Sequence, residues 1–158
     1  EAGLASWMAR QELQLVPLAV REFWENRVRT VSQQLDEEDW AIIERGVKNR
    51  FDLVAALDEA GAIMLAGTDT PNPFVVPGIS LHRELELLVR AGMTPKEALA
   101  AATREAAAFA GQLDEWGTIS EGKRADLVLL TRNPLVDITA TTSIERVMVR
   151  GKWVNHEE

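Results

Sequence analysis

The sequence holds no cysteine among its 158 residues, which excludes disulfides, thiolate metal sites and cysteine nucleophiles and leaves the redox compartment open. Histidine is nearly as scarce. Only His82 and His156 are present, so a self-contained zinc site of three or four ligands would have to be assembled mainly from carboxylates. No apolar stretch is long enough to cross a bilayer, and the first residues do not read as a basic-then-apolar leader. Positive charge is in deficit: 17 Lys and Arg face 25 Asp and Glu, and the net charge of −8 opposes binding to phosphate backbones or anionic membranes. Neither a nucleic acid nor a membrane is expected as a partner.

What is present is a 46% hydrophobic composition, enough for a sizeable core. Up to about Val31, the residues Leu4, Trp7 and Met8, then Val20, Trp24, Val28 and Val31, recur at helical spacing, with Pro17 dividing two helical pieces. Asp36-Glu-Glu-Asp39 suits the first turn of a further helix, whose positive end it complements, and Trp40, Ile43, Val47, Phe51, Val54 and Leu57 then form one apolar face. Gly61 is its expected C-cap. A later helix carries Leu81, Leu85 and Leu88 and stops at Ala91-Gly92. Thr94-Pro95-Lys96-Glu97 restarts it with a capping box, and the Ala-rich run 98–110 ends at Gly111. Beyond Gly111 the pattern changes to short β segments at Gly117–Ile119, Ala125–Leu130 and Arg146–Val154, the last expected to be a hairpin turning at Arg150-Gly151.

Between these helices lies the segment with most chemical interest. Ala62–Ala66 reads as an apolar strand that delivers Asp69 to its tip, just before the Pro-rich loop Thr70–Pro77. Parallel α/β architectures place their working groups on loops after the carboxyl ends of such strands. An Asp ahead of a Thr-Pro turn also serves as a local cap for backbone N–H groups, so both roles stand at this point.

Five blocks in order carry a resemblance: Ala66-Gly-Thr-Asp69; the run from Phe74 to Pro95 that includes Gly78-Ile-Ser-Leu-His-Arg-Glu84; Glu97-Ala-Leu-Ala-Ala-Ala-Thr103; Gly117-Thr-Ile-Ser-Glu-Gly-Lys-Arg-Ala-Asp-Leu-Val-Leu-Leu130; and Val147-Met-Val-Arg-Gly-Lys-Trp-Val154. Together they resemble the C-terminal part of a metal-dependent amidohydrolase, in the branch similar to imidazolonepropionase and Xaa-Pro dipeptidase. The resemblance implies an α/β fold: the last strand and flanking helices of a TIM barrel over 1–112, and part of a small composite β-sandwich over 113–158. It implies one or two divalent metals, zinc foremost, and maps the family's metal-binding general base onto Asp69. The family's His-x-His pair, bridging Lys or Glu and two further His ligands have no counterparts in this sequence. A complete barrel takes roughly 250 residues, so the expectation is a fragment, inactive alone, whose partner is the missing N-terminal portion of the barrel.

By the same resemblance His82, Asn72 and Phe74 are expected to contact a small amide or short-peptide substrate, with Val75 on the same loop wall. The competing roles are a surface histidine near a helix start and ordinary loop packing. His156 reads as a solvated tail residue. Lys123 and Asp126 are expected to shape a turn and a strand start rather than to catalyse. The Trp residues at 7, 24, 40, 116 and 153 read as core or interface fillers on separate elements, not as a ligand cage.

Two functions follow. One is a portion of a hydrolase that cleaves a C–N bond in an amide, cyclic amide or dipeptide by metal-activated water. The other is a catalytically silent association module, supplying half of a split barrel or forming a homo-oligomer, for which apolar faces without an internal partner are the motive.

Overall fold

The computed structural model describes residues 8–154; Leu4, Trp7 and His156, read above as helix and tail residues, lie outside them. The chain divides into two compact units. One takes the described residues up to Leu53 together with Thr68–Leu81; the other takes Val54–Gly67 and the chain from His82 onward.

In the first unit, a 3₁₀ turn at Gln11–Leu15 precedes helix α1 (Leu18–Ser32), and Pro17 separates them, as the sequence leads one to expect. Pro cannot donate to a preceding carbonyl, and its fixed φ suits the residue before a helix. Leu13, Val16 and Trp24 are buried with Phe74 and Val76 from the Pro-rich loop, and Met8, Val28 and Ile79 pack around them. Trp24 and Phe74 meet with ring centroids 5.8 Å apart at 55°, a tilted aromatic pair. Burying side chains of this size stabilises by about 1.5–3 kcal/mol each. Helix α2 (Glu37–Glu59) begins as predicted. Asp36 and Asp39 cap it reciprocally, the Asp39 N–H donating to Asp36 Oδ1 at 2.9 Å and the Asp36 N–H to Asp39 Oδ2 at 3.1 Å. Its apolar face is less covered than its periodicity suggests. Trp40, Ile43 and Val47 are 44, 40 and 44% exposed, and no residue of α2 is fully buried.

In the second unit, α2 ends on Gly61 at φ +73, where the Ala62 N–H reaches back to the Leu57 carbonyl and the Gly61 N–H to that of Asp58. That bond pair is the glycine-ended helix stop expected from the sequence. Helix α3 (Ile79–Arg90) runs into this unit from His82, and α4 (Pro95–Ala101) and α5 (Arg104–Phe109) follow. Leu85, Leu88, Met93, Ala98, Ala101 and Ile138 form the core, with Val54, Met64 and Ala66 against it. Alanine at 98 and 101 leaves backbones close enough for the Ala66 N–H to donate to the Ala101 carbonyl at 3.2 Å.

The capping box before α4 is complete: the Glu97 N–H donates to Thr94 Oγ1, and Glu97 Oε2 accepts from the Thr94 N–H at 2.7 Å. The Ala-rich run is not one helix. Thr103, at φ −130 and ψ −85, separates α4 from α5, and its hydroxyl donates to the Leu99 carbonyl at 2.6 Å, a back-bond that competes with helix continuation.

Strands β1 (Leu127–Leu130), β2 (Ile144–Val149) and β3 (Lys152–Trp153) form an antiparallel sheet in that order, with Val128 opposite Val147 and Met148 opposite Trp153. The hairpin turns at Arg150 and Gly151, at φ +50 and +78, as a two-residue turn matched to strand twist requires. Two predicted strands are absent. Neither 62–66 nor 117–119 pairs into a ladder; the first carries the strand's apolar composition, but a strand exists only through a hydrogen-bonded neighbour, and none among the described residues lies beside it. Of the described tryptophans only Trp24 is buried. Trp153, 38% exposed, instead carries the Arg146 guanidinium 4.1 Å from its ring centroid, a cation–π contact.

Candidate active site

The turn after Ala66 is built by local hydrogen bonds. In the second unit, Glu84 Oε1 accepts the Gly67 N–H at 2.6 Å, tying the end of the apolar segment to α3. Glu84 Oε2 is buried and has no hydrogen-bond partner among the described residues. Sequence reasoning passed over Glu84, although a signal existed: it occupies a position on the stripe of Leu81, Leu85 and Leu88, where an acid is out of place unless it has a backbone donor to hold.

In the first unit, Asp69 is exposed and sits at φ +54, a conformation that Asp visits more readily than most residues. Asn72 closes the turn over it. The Asn72 N–H donates to the Asp69 carbonyl at 3.2 Å, and Nδ2 donates both to that carbonyl at 3.0 Å and to Asp69 Oδ2 at 2.6 Å. The bond to the Asp69 carboxylate thus comes from a side-chain amide, not from a backbone N–H as the local-cap role would have it, and it engages one carboxylate oxygen. Farther along the loop, Phe74 adopts φ +65 and is buried beside Trp24, and the Val76 N–H donates to Ser80 Oγ at 2.8 Å where α3 begins.

The predicted site residues thus separate. Asp69 and Asn72 are brought into direct contact, while Phe74 is turned into the core of its unit. His82 lies in the other unit, on α3, half-buried, with Nδ1 shielded from solvent and, among the described residues, without a hydrogen-bond partner. A surface groove of about 280 Å³, lined by Phe23, Asn26, Arg27, Thr30 and Val31 of α1, includes none of them.

The other singled-out polar residues hold turns. Lys123 Nζ donates to the Leu113 carbonyl and to Thr118 Oγ1. Asp126 Oδ1 accepts the Arg150 N–H at 2.7 Å and Oδ2 the Arg124 Nε–H at 2.6 Å, which locks the start of β1 to the β2–β3 turn. The Arg150 amide is the main reason the Asp126 carboxyl is held below the usual carboxylate range. Glu97 is held low chiefly by the Thr94 hydroxyl and Asp137 chiefly by that of Thr139.

Among the described residues no group of three or more His, Cys, Asp or Glu side chains is placed to hold a metal ion. The donor chemistry of Asp69 fits a divalent cation: it is an exposed carboxylate on a turn held by Asn72, suited to be one ligand among several.

The chain is similar in sequence and fold to known proteins. The model of the Amidohydrolase family matches residues 15–154. Ochratoxinase from Aspergillus niger is 33% identical over 134 residues, which cover 84% of this chain and 27% of that protein. Imidazolonepropionase from Geobacillus sp. (strain WCH70) is 46% identical over 72 residues, covering 45% of this chain and 17% of that one. A crystal structure of a Xaa-Pro dipeptidase with bound methionine in the active site superposes with a TM-score of 0.60 at 28% identity, over 65% of this chain and 25% of the other. The chain spans about a quarter of the length of the first of these relatives. The resemblance read from the five sequence blocks holds across most of the described residues, and the chain belongs to the amidohydrolase family.

Proposed function

We propose that this chain is the C-terminal portion of a metal-dependent hydrolase that cleaves a C–N bond in an amide, cyclic amide or dipeptide, with Asp69 as metal ligand and general base. The observation that carries the reading is the turn at Asp69: one carboxylate oxygen is held by Asn72, and among the described residues no hydrogen bond reaches the other. The names of the relatives support the substrate class, since they include an imidazolonepropionase and a Xaa-Pro dipeptidase. The remaining ligands belong to the N-terminal portion of the barrel, and residues 113–158 contribute to a composite β-sandwich completed by the same portion.

A divalent cation, zinc foremost, would polarise the scissile carbonyl and acidify the attacking water. Asp69 Oδ1 takes the proton as the water oxygen bonds to the carbonyl carbon. The same carboxyl then returns that proton to the departing nitrogen as the C–N bond breaks, so the base is regenerated in each turnover. His82 is assigned to substrate contact on the family resemblance; among the described residues its shielded Nδ1 has no hydrogen-bond partner. Asn72 belongs to the loop at the pocket wall, which Phe74 anchors from within the core of its unit.

A second reading has its own support in the apolar face of α2, where Trp40, Ile43 and Val47 remain 40 to 44% exposed among the described residues. On that reading the chain works by association, with the other half of a split barrel or with a second copy. The two are separated by assaying the full-length chain on N-acyl amino acids, cyclic amides and dipeptides. Hydrolysis lost to a chelator and restored by a divalent cation is expected; a full-length protein that assembles stoichiometrically but hydrolyses none of them would favour association.

A further inference from the structure

We propose that Asn72 is the positioning residue of Asp69, fixing the Oδ2 side of the carboxylate so that Oδ1 is the oxygen presented for chemistry. The inference rests on the reading of Asp69 given above and assigns Asn72 a task that the loop-wall role does not include. An exposed carboxylate on a short side chain has several staggered rotamers open to it and no packing to choose among them. Asp69 is exposed, so its orientation must come from hydrogen bonds. Asn72 supplies them: Nδ2 bridges Asp69 Oδ2 at 2.6 Å and the Asp69 carbonyl at 3.0 Å, while the Asn72 main-chain N–H holds that carbonyl as well. One residue therefore restrains both the main chain and the side chain of Asp69.

The chemistry of the pair admits only the amide nitrogen in this place. A carboxylate oxygen is an acceptor, so turning Asn72 to offer Oδ1 would oppose two acceptors across the contact. Asn72 is itself held from beyond, because its carbonyl accepts the Val75 N–H at 3.0 Å and the next loop residue but one, Phe74, is anchored beside Trp24. Phe74 and Asp69 both adopt positive φ, a cost of order 1–3 kcal/mol for a bulky residue such as Phe that persists only where surrounding contacts impose it. The loop thus has an aromatic anchor at one end and an amide clamp at the other. The clamp lies on the carboxylate itself.

The test is an NMR measurement of the couplings that define χ1 of Asp69 in the wild-type chain, Asn72→Ala and Asn72→Asp, with kcat and KM of the same variants in the full-length chain. Asn72→Asp keeps the size of the side chain, removes the donor and sets a second carboxylate against Asp69 Oδ2, whereas Asn72→Ala removes the donor without adding charge, so both bear on the contact itself. Wild type is expected to show one χ1 rotamer and both variants rotamer averaging, with kcat lower by about 10–100-fold and KM within about twofold, the cost of a misplaced catalytic group. An Asp69 that keeps a single rotamer in both variants overturns the role of Asn72 and leaves the role of Asp69 standing. Full activity in Asp69→Asn removes the reading beneath it, whatever the rotamers show.

Discussion

Gly117 passes so close to Ala107 that a Cβ added to it would lie 2.5 Å from the Ala107 Cβ and 3.0 Å from the Thr103 carbonyl oxygen. Its φ of +94 is also one that other residues adopt only with strain. The loop leaving α5 can therefore return over that helix only with glycine at 117. Gly117→Ala is expected to destabilise the chain by roughly 2–4 kcal/mol, from overpacking and backbone strain together. Urea denaturation measures it, and Ala107→Gly in the same chain should recover part of the loss. A Gly117→Ala midpoint equal to wild type would show that the approach is not as tight as described.

Trp24 is 4% exposed and forms one wall of the cluster that receives Phe74. Trp24→Ala leaves a large cavity there and should cost about 3–5 kcal/mol. Trp24→Phe, which keeps an aromatic partner for Phe74, should cost visibly less. Equal losses in the two variants, read from their unfolding midpoints, would mean that the ring retained in Trp24→Phe makes no stabilising contact with Phe74.

The Thr94 cap satisfies the Glu97 N–H where α4 begins, and its own N–H is satisfied in return. Thr94→Ala is expected to cost about 0.5–2 kcal/mol, and Thr94→Ser much less. Amide exchange at Lys96 to Ala98 localises the effect. Unaltered exchange in Thr94→Ala would contradict the assignment of the cap.

Acid should unfold the chain in a definite window. Asp126, Glu97 and Asp137 are held below the usual carboxylate range by the Arg150 amide, the Thr94 hydroxyl and the Thr139 hydroxyl respectively. A depressed folded-state value means that the unfolded chain binds protons more readily, so the stabilisation is whole above the ordinary range near about 4 and is lost as pH falls through the folded values. Urea midpoints should stay level from about pH 7 to 5 and drop below about 4, and Asp126→Asn should flatten part of the drop. A midpoint that rises on acidification would reverse the sign.

Much of the fold was legible because its signals are local. The box at Thr94 to Glu97, the glycine stop at Gly61 and the hairpin at Arg150-Gly151 each depend on residues within a turn of one another, and each is present. What depends on distant partners was not legible. Among the described residues the apolar run 62–66 has strand composition but no ladder, and the stripe of Trp40, Ile43 and Val47 has helical spacing but only partial cover. The Ala-rich run hid the break at Thr103, since Ala favours helix on both sides and only the threonine hydroxyl marks the interruption. At the site, Asp69 was visible from its place before the Pro-rich loop. Its bond to Asn72 was not, nor was the hold of Glu84 on Gly67, because both are set by turns that the sequence alone does not fix.

The central claim is that Asp69 performs the proton transfer in C–N bond hydrolysis, and Asp69→Asn in the full-length chain addresses it most directly. Asparagine keeps the shape of the turn and removes the base, so kcat on an amide substrate is expected to fall by about 10²–10⁴-fold while the thermal midpoint stays close to wild type. A folded Asp69→Asn protein that turns over at the wild-type rate would contradict the claim.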